Sequence, residues 1–159
     1  MTGDRHEGPP APEPLEVPVA DNHCHLGYGK PGVDRAAISL ALEQAAAVGV
    51  TRVVDVGYDL ASSTHAVSVA EEFSNVVAAV AIHPNDAARL EHDLDHAVDQ
   101  IESLATNPVV RAIGETGLDY YRLNGRGIEQ MEWQRERFRV HIRAARESGL
   151  PLVVHTRNA

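Results

Sequence analysis

Short apolar, β-branched runs alternate along this chain with longer stretches of helical periodicity, and that order admits few folds. The runs are 17–23 (VPVADNH), 51–57 (TRVVDVG), 76–82 (VVAAVAI), 109–114 (VVRAIG) and 151–155 (PLVVH). Their near-continuous apolar character predicts strands of a parallel sheet covered on both faces. Between them, Asp34 is placed to cap a helix carrying Ala37, Leu40, Ala41 and Ala45, with Gly49 beyond its end. A second helix follows Asp59 and puts Ala66, Val67 and Ala70 on one face. A third covers about Asp93 to Ala105, with Leu94, Ala97, Val98, Ile101 and Leu104 at helical spacing. A fourth runs from about Ile128 to Ser148 and stops at Gly149, before Pro151. Right-handed crossovers of this length bring each strand back parallel to the last. The order fits an open doubly wound sheet or the first part of a (β/α)₈ barrel, and periodicity does not choose between them. No G-x-G-x-x-G or G-K-[ST] follows a strand, which argues against dinucleotide and P-loop sites. Gly27-Tyr28-Gly29-Lys30 runs into Pro31 and reads as a loop.

The first sixteen residues hold four prolines and one large aliphatic residue, so we read 1–16 as a flexible tail and 17–159 as the folded unit. A length of 159 residues suffices for one core, and no apolar run approaches the roughly 20 residues of a membrane span. The N-terminal residues lack the regions of a signal peptide, and the single cysteine, Cys24, excludes an internal disulfide; a cytoplasmic location is expected. A net charge of −9 argues against an extended basic platform for nucleic acid, although bound cations could still receive phosphate locally. The arginines between Glu132 and Arg143 do not alter this, because glutamates interleave with them as on a salt-bridged outer helix.

Chemistry-bearing residues gather at one end of the predicted strands. In Asp21-Asn22-His23-Cys24-His25 the alternation of an extended chain points His23 and His25 the same way and Cys24 the other, which suits Cys24 to packing. Two imidazoles are thereby offered to one cation, although a lone H-x-H is more often a pair of polar loop histidines. Glu115 closes the fourth run beside Gly114, where a buried carboxylate needs a cation or donor. His155 ends the fifth run and His83 the third. In parallel α/β folds this is the end where ligands bind, so four coincidences point to one metal site holding His23, His25, Glu115 and His155. His83 is the weaker candidate, since a His-Pro turn can spend its imidazole on loop backbone. Arg157 can contact an anionic substrate oxygen or pair with a neighbouring carboxylate. Asp119 could orient a ligand or cap the next element, the structural role being favoured. His6, His65, His92, His96 and His141 read as solvated or partly packed.

Taken together, Asp21-Asn22-His23-Cys24-His25-Leu26, Ala81-Ile82-His83-Pro84, Ile113-Gly114-Glu115-Thr116-Gly117-Leu118-Asp119-Tyr120-Tyr121, Gln134 through Phe138 to Ala145, and Leu150 through His155-Thr156-Arg157 to Ala159 resemble the TatD family of metal-dependent hydrolases and deoxyribonucleases. The resemblance runs from about Val17 to the last residue. It implies an α/β fold, an incomplete (β/α)₈ TIM barrel with about five of the eight parallel strands. It further implies two divalent metal ions (Mg, Mn or Zn), the first on His23 and His25, Glu115 between the two as the catalytic carboxylate, and the second on His155. His83 and Arg157 would contact the substrate, DNA or a small phosphodiester; no membrane and no protein partner is implied. A further His and a late Asp of the family have no counterpart, so the chain is expected to be truncated, with an open sheet edge and doubtful activity alone. The alternatives are an amidohydrolase acting on C–N or lactone bonds, disfavoured because Glu115 stands where a metal-bridging Lys would, and a non-catalytic metal-binding module.

Overall fold

The computed structural model describes residues 10–30, 33–87, 94–121, 123 and 125–159. Five parallel strands, β1 (Val19–Cys24), β2 (Val50–Val56), β3 (Val76–Val80), β4 (Val110–Asp119) and β5 (Leu152–Arg157), lie side by side in sequence order. Sequential order leaves no switch point of a doubly wound sheet; the strands curl as a half-barrel, the architecture implied by the resemblance.

The crossovers form as local chemistry dictates. Helix α1 (Arg35–Ala47) starts where the Asp34 side chain accepts the Ala37 N–H, and Gly49 takes a positive φ of 95° just past its end. Helix α2 (Leu60–Glu72) carries a capping box in which Asp59 accepts from the Ser62 N–H and the Ser62 hydroxyl accepts from the Asp59 N–H. A four-residue helix, α3 (Pro84–Ala87), follows β3 and was not foreseen. Helix α4 spans Leu94–Ala105; the expected start at Asp93 lies outside the described residues, as do His6, His92 and residues 1–9 of the tail. A 3₁₀ turn (Ile128–Met131) leads into α5 (Glu132–Ser148), which ends on left-handed Gly149. Residues 10–16 lie exposed, with the Leu15 N–H donating to Val48.

The main core lies between the sheet and its helices, with Ile38, Leu42, Val67, Val69, Val80, Ile101 and Ile113 buried in it. A smaller cluster of Val56, Ala79 and Ala112, flanked by Val54 and Val153, forms separately; its small side chains suit the concave side of a curled sheet. Among the described residues no helix is long and apolar enough to cross a membrane.

Strand β1 starts at Val19, past the expected Val17, and the C-terminal ends of three strands differ from expectation by more than one residue. Strand β4 continues past Gly114 to Asp119 because Thr116, Gly117, Leu118 and Asp119 keep pairing with Val154, His155, Thr156 and Arg157. Glu115 therefore sits inside a strand and Asp119 ends it. Strand β5 likewise runs to Arg157, beyond His155. Strand β3 stops at Val80, earlier than expected, and His83 lies three residues past it. There the Ser63 hydroxyl bonds both the N–H and the carbonyl of Ala81, and His141 accepts the Ile82 N–H, so side chains replace the ladder.

Candidate metal centre

Cys24 points into the protein, its Sγ 3.3 Å from the Val54 carbonyl, and His23 and His25 project to the opposite side with ring centroids 5.3 Å apart. Burial raises the Cys24 thiol to about 12, reinforced by Asp55 and Asp21, so it packs and does not ionise. The His25 Nδ1–H donates to the Val56 carbonyl at 2.7 Å, which turns Nε2 outward as the available acceptor. The loop beyond is clamped: the Leu26 N–H donates to Asp55 Oδ1 at 2.9 Å and the Leu26 carbonyl accepts from His65 Nε2 at 3.0 Å. Neither clamp was foreseen. The signal for Asp55 was present, a carboxylate within the apolar run VVDVG, and burial raises its pKa as such a position demands. His65 carries no signal beyond its place on a helix; of the two readings offered, solvated or partly packed, the structure shows the second.

Glu115 reaches this pair from β4. Its N–H is tied to the Gly57 carbonyl, the Gly114–Glu115 peptide is cis, and its Oε2 lies 3.4 Å from His23 Nε2. His23, His25 and Glu115 offer ligand atoms that lie within 4.8 Å of one another. On the other side, Glu115 Oε1 is 2.7 Å from His155 Nδ1. All four residues expected at one metal site are thus brought together, with His23 and His25 on one side, His155 on the other and one carboxylate joining them. Imidazole nitrogen with carboxylate oxygen is a donor set that suits Zn²⁺ and its borderline neighbours.

A second group forms around Asp119, whose side chain is fully buried. Its Oδ1 accepts from the Tyr121 N–H and Arg157 Nε; its Oδ2 accepts from Asn85 Nδ2 at 2.8 Å and Arg157 Nη2 at 2.7 Å, with His155 Nε2 at 3.2 Å. Gln134 of α5 holds both backbone groups of Asp119, accepting its N–H and donating to its carbonyl. Burial alone would raise this carboxyl, but the hydrogen bonds from Arg157, Tyr121 and Asn85 outweigh it and bring the pKa down to about 2. Arg157, stacked 4.4 Å over the Tyr121 ring, makes the carboxylate pair that the sequence left open as one of its two roles. His83 accepts the Asn85 N–H on Nδ1 and packs its ring 4.3 Å from that of His155. Burial lowers it to about 4, so it stays neutral. His141, read as solvated or partly packed, is instead fully buried beneath this loop.

The family model of TatD-related DNases matches residues 20–159. An uncharacterised metal-dependent hydrolase, TatD, of Mycobacterium tuberculosis is 41% identical over 145 residues, which cover 89% of this chain and 52% of that protein. The 3′-5′ ssDNA/RNA exonuclease TatD of Citrobacter koseri is 30% identical over 116 residues, 73% of this chain and 42% of its own length. Among solved structures, the TatD homologue YJJV of Escherichia coli K12 superposes with a TM-score of 0.72 at 25% identity, over 87% of this chain and 51% of that one. The chain spans about half the length of the curated relatives it matches.

Proposed function

This chain belongs to the TatD-related DNase family, and on that premise we propose that its strand ends hold divalent metal for the hydrolysis of phosphodiester bonds in DNA. The observation that carries the reading is the convergence of His23 and His25 from β1 and His155 from β5 on the two oxygens of Glu115 in β4. Two of these three imidazoles come from the end of β1, which does not neighbour β4, so strand pairing alone does not bring them to this carboxylate.

In this reading His23, His25 and Glu115 would hold one cation, and Glu115 and His155 would hold a second. Divalent cations so held supply Lewis acidity and a nucleophile at neutral pH. Every other part falls to the chain. Glu115 fixes the spacing of the two positions, since one oxygen faces the β1 imidazoles and the other faces His155. The Val56 carbonyl and the Asp55–His65 clamp on Leu26 set the ring of His25 before any ligand arrives. His83, kept neutral by burial, and Arg157, whose side chain stays 39% exposed beside its carboxylate partner, face an anionic oxygen of the substrate from the far side. With a net charge of −9 the protein offers phosphate no general attraction, so capture of the substrate at this mouth would depend on cations held by these residues.

The test is cleavage of end-labelled single-stranded DNA by the chain in Mn²⁺, Mg²⁺ or Zn²⁺, alone and with a chelator, beside the Glu115→Gln variant. Cleavage that needs metal and is lost in the variant is the expected result. Metal binding with no turnover on DNA or on a small phosphodiester, by the chain and by a version extended to full barrel length alike, would overturn the nuclease reading and leave a metal-binding module.

A further inference from the structure

Both nitrogens of His155 face a carboxylate, Nδ1 at 2.7 Å from Glu115 and Nε2 at 3.2 Å from Asp119. An imidazole binds a metal through one bare nitrogen, and the hydrogen bond made by its other N–H decides which. The two carboxylates are not equivalent for these tasks. Among the described residues the Glu115 side chain is approached by imidazoles, themselves metal-ligand groups, and keeps 15% of its surface open. Asp119 is closed on all sides: besides His155 it takes two N–H groups of Arg157, the amide of Asn85 and the N–H of Tyr121. With His155 included, two donors face Oδ1 and three face Oδ2, which leaves no lone-pair direction of the carboxylate open to a cation.

The ligand atoms of His83, Asp119 and His155 lie close enough to suggest a cation site of their own. The chemistry speaks against it. A cation there would displace a guanidinium from its bidentate partner and then sit beside that guanidinium's charge. What a saturated, immobile carboxylate can still do is keep hold of one imidazole N–H. We propose that Asp119 is the positioning residue of His155: it accepts the Nε2–H and thereby leaves Nδ1 as the metal-binding nitrogen beside Glu115.

This inference rests on the metal-centre reading and adds to it an assignment of nitrogens. His25 presents Nε2, because the Val56 carbonyl takes its Nδ1–H, whereas His155 presents Nδ1, because Asp119 takes its Nε2–H. Arg157, Asn85 and Gln134 then serve the centre by fixing Asp119, Gln134 through the backbone of that residue.

Long-range ¹H–¹⁵N spectra of histidine-labelled chain, recorded before and after one and two equivalents of Zn²⁺, read the nitrogens directly and require no variant to fold. The expected result is that Zn²⁺ shifts Nδ1 of His155 and Nε2 of His25, while Nε2 of His155 remains protonated. In Asp119→Asn, zinc affinity by competition with a chromophoric chelator should fall about 10- to 100-fold, with His155 no longer confined to one tautomer. Shifts of His23 and His25 with Nε2 of His155 as the zinc-bound nitrogen would overturn this inference and leave the metal centre standing. No shift at any of the three would overturn the metal centre itself, and this inference with it.

Discussion

Glu115 and Asp119 lie on one strand, carry the same formal charge and touch the same imidazole, yet their surroundings are opposite. Around Glu115 the partners are His23 and His155, which are bases when neutral and give a carboxylate no permanent counter-charge. Around Asp119 the partner is Arg157, positive at any ordinary pH, together with two amide donors. A carboxylate among imidazoles is an incomplete electrostatic arrangement that a divalent cation completes. A carboxylate clasped by a guanidinium is already complete, and serves as a fixed point from which to aim something else. The contrast separates the part of the mouth that binds from the part that holds it in shape.

The largest effect should come from removing the charge of the open carboxylate. Glu115→Gln keeps size and hydrogen-bonding capacity but takes away the one anion shared by the two halves of the centre. Loss of an outer-shell partner alone costs a metal site about 10- to 100-fold, so loss of this ligand should weaken Mn²⁺ binding on the order of 10³-fold by calorimetry. The unfolding free energy in urea should hardly change, since this side chain supports no described element apart from the imidazoles. Unaltered Mn²⁺ affinity would remove Glu115 from the centre.

The closed carboxylate should behave in reverse. Arg157→Met leaves the fully buried Asp119 charge with only neutral donors and His155. Breaking a buried pair in this way costs about 3 kcal/mol of stability, the low end of the usual range because the Arg157 side chain is itself 39% exposed. Urea unfolding measures it, and a loss below about 1 kcal/mol would show that Asp119 does not depend on its guanidinium. Metal affinity should fall far less than in Glu115→Gln.

Much of this contrast was legible in the sequence, and the missing part has a physical reason. The alternation of strands and helices, the caps at Asp34 and Asp59 and the stop at Gly149 follow from local preferences that act within a few residues, and the structure keeps them. The convergence of His23, His25, Glu115 and His155 was legible because parallel strands share one ligand-binding end. For Asp119 the sequence offered orienting a ligand or capping the next element and favoured the structural role; its pairing with Arg157 was not legible, because it depends on β4 continuing past Gly117, which is set by the partner strand. Gly117 shows how tight the pairing is: at φ 147° its backbone lies so close to the His155 carbonyl that an added Cβ would collide with it. Arg157 could be read as a substrate contact or as a pair with a carboxylate, and only the extension of both strands brought Asp119 alongside it. The burial of His141 and the clamp made by His65 escaped notice since each depends on a backbone group far along the chain, 59 and 39 residues away.

His141 supplies the smallest and sharpest test, because it is an imidazole of a third kind, neither metal-facing nor paired with a carboxylate. Its Nδ1–H donates to the Arg137 carbonyl and its Nε2 accepts the Ile82 N–H, just before His83. Protonation would set an N–H against an N–H inside the core, and burial lowers its pKa below the ordinary 6.5. With the folded value depressed, the unfolded chain takes up the proton first as pH falls. The contribution is therefore intact above about pH 6.5 and is lost progressively below it. Glutamine can donate and accept as the neutral ring does but cannot titrate. His141→Gln should therefore lower stability at pH 7.5 modestly and flatten its decline between pH 6.5 and 5.5, measured by urea unfolding across that window. Parallel declines in the two proteins would show that His141 is not held neutral, and that the loop carrying His83 is fixed by Ser63 without it.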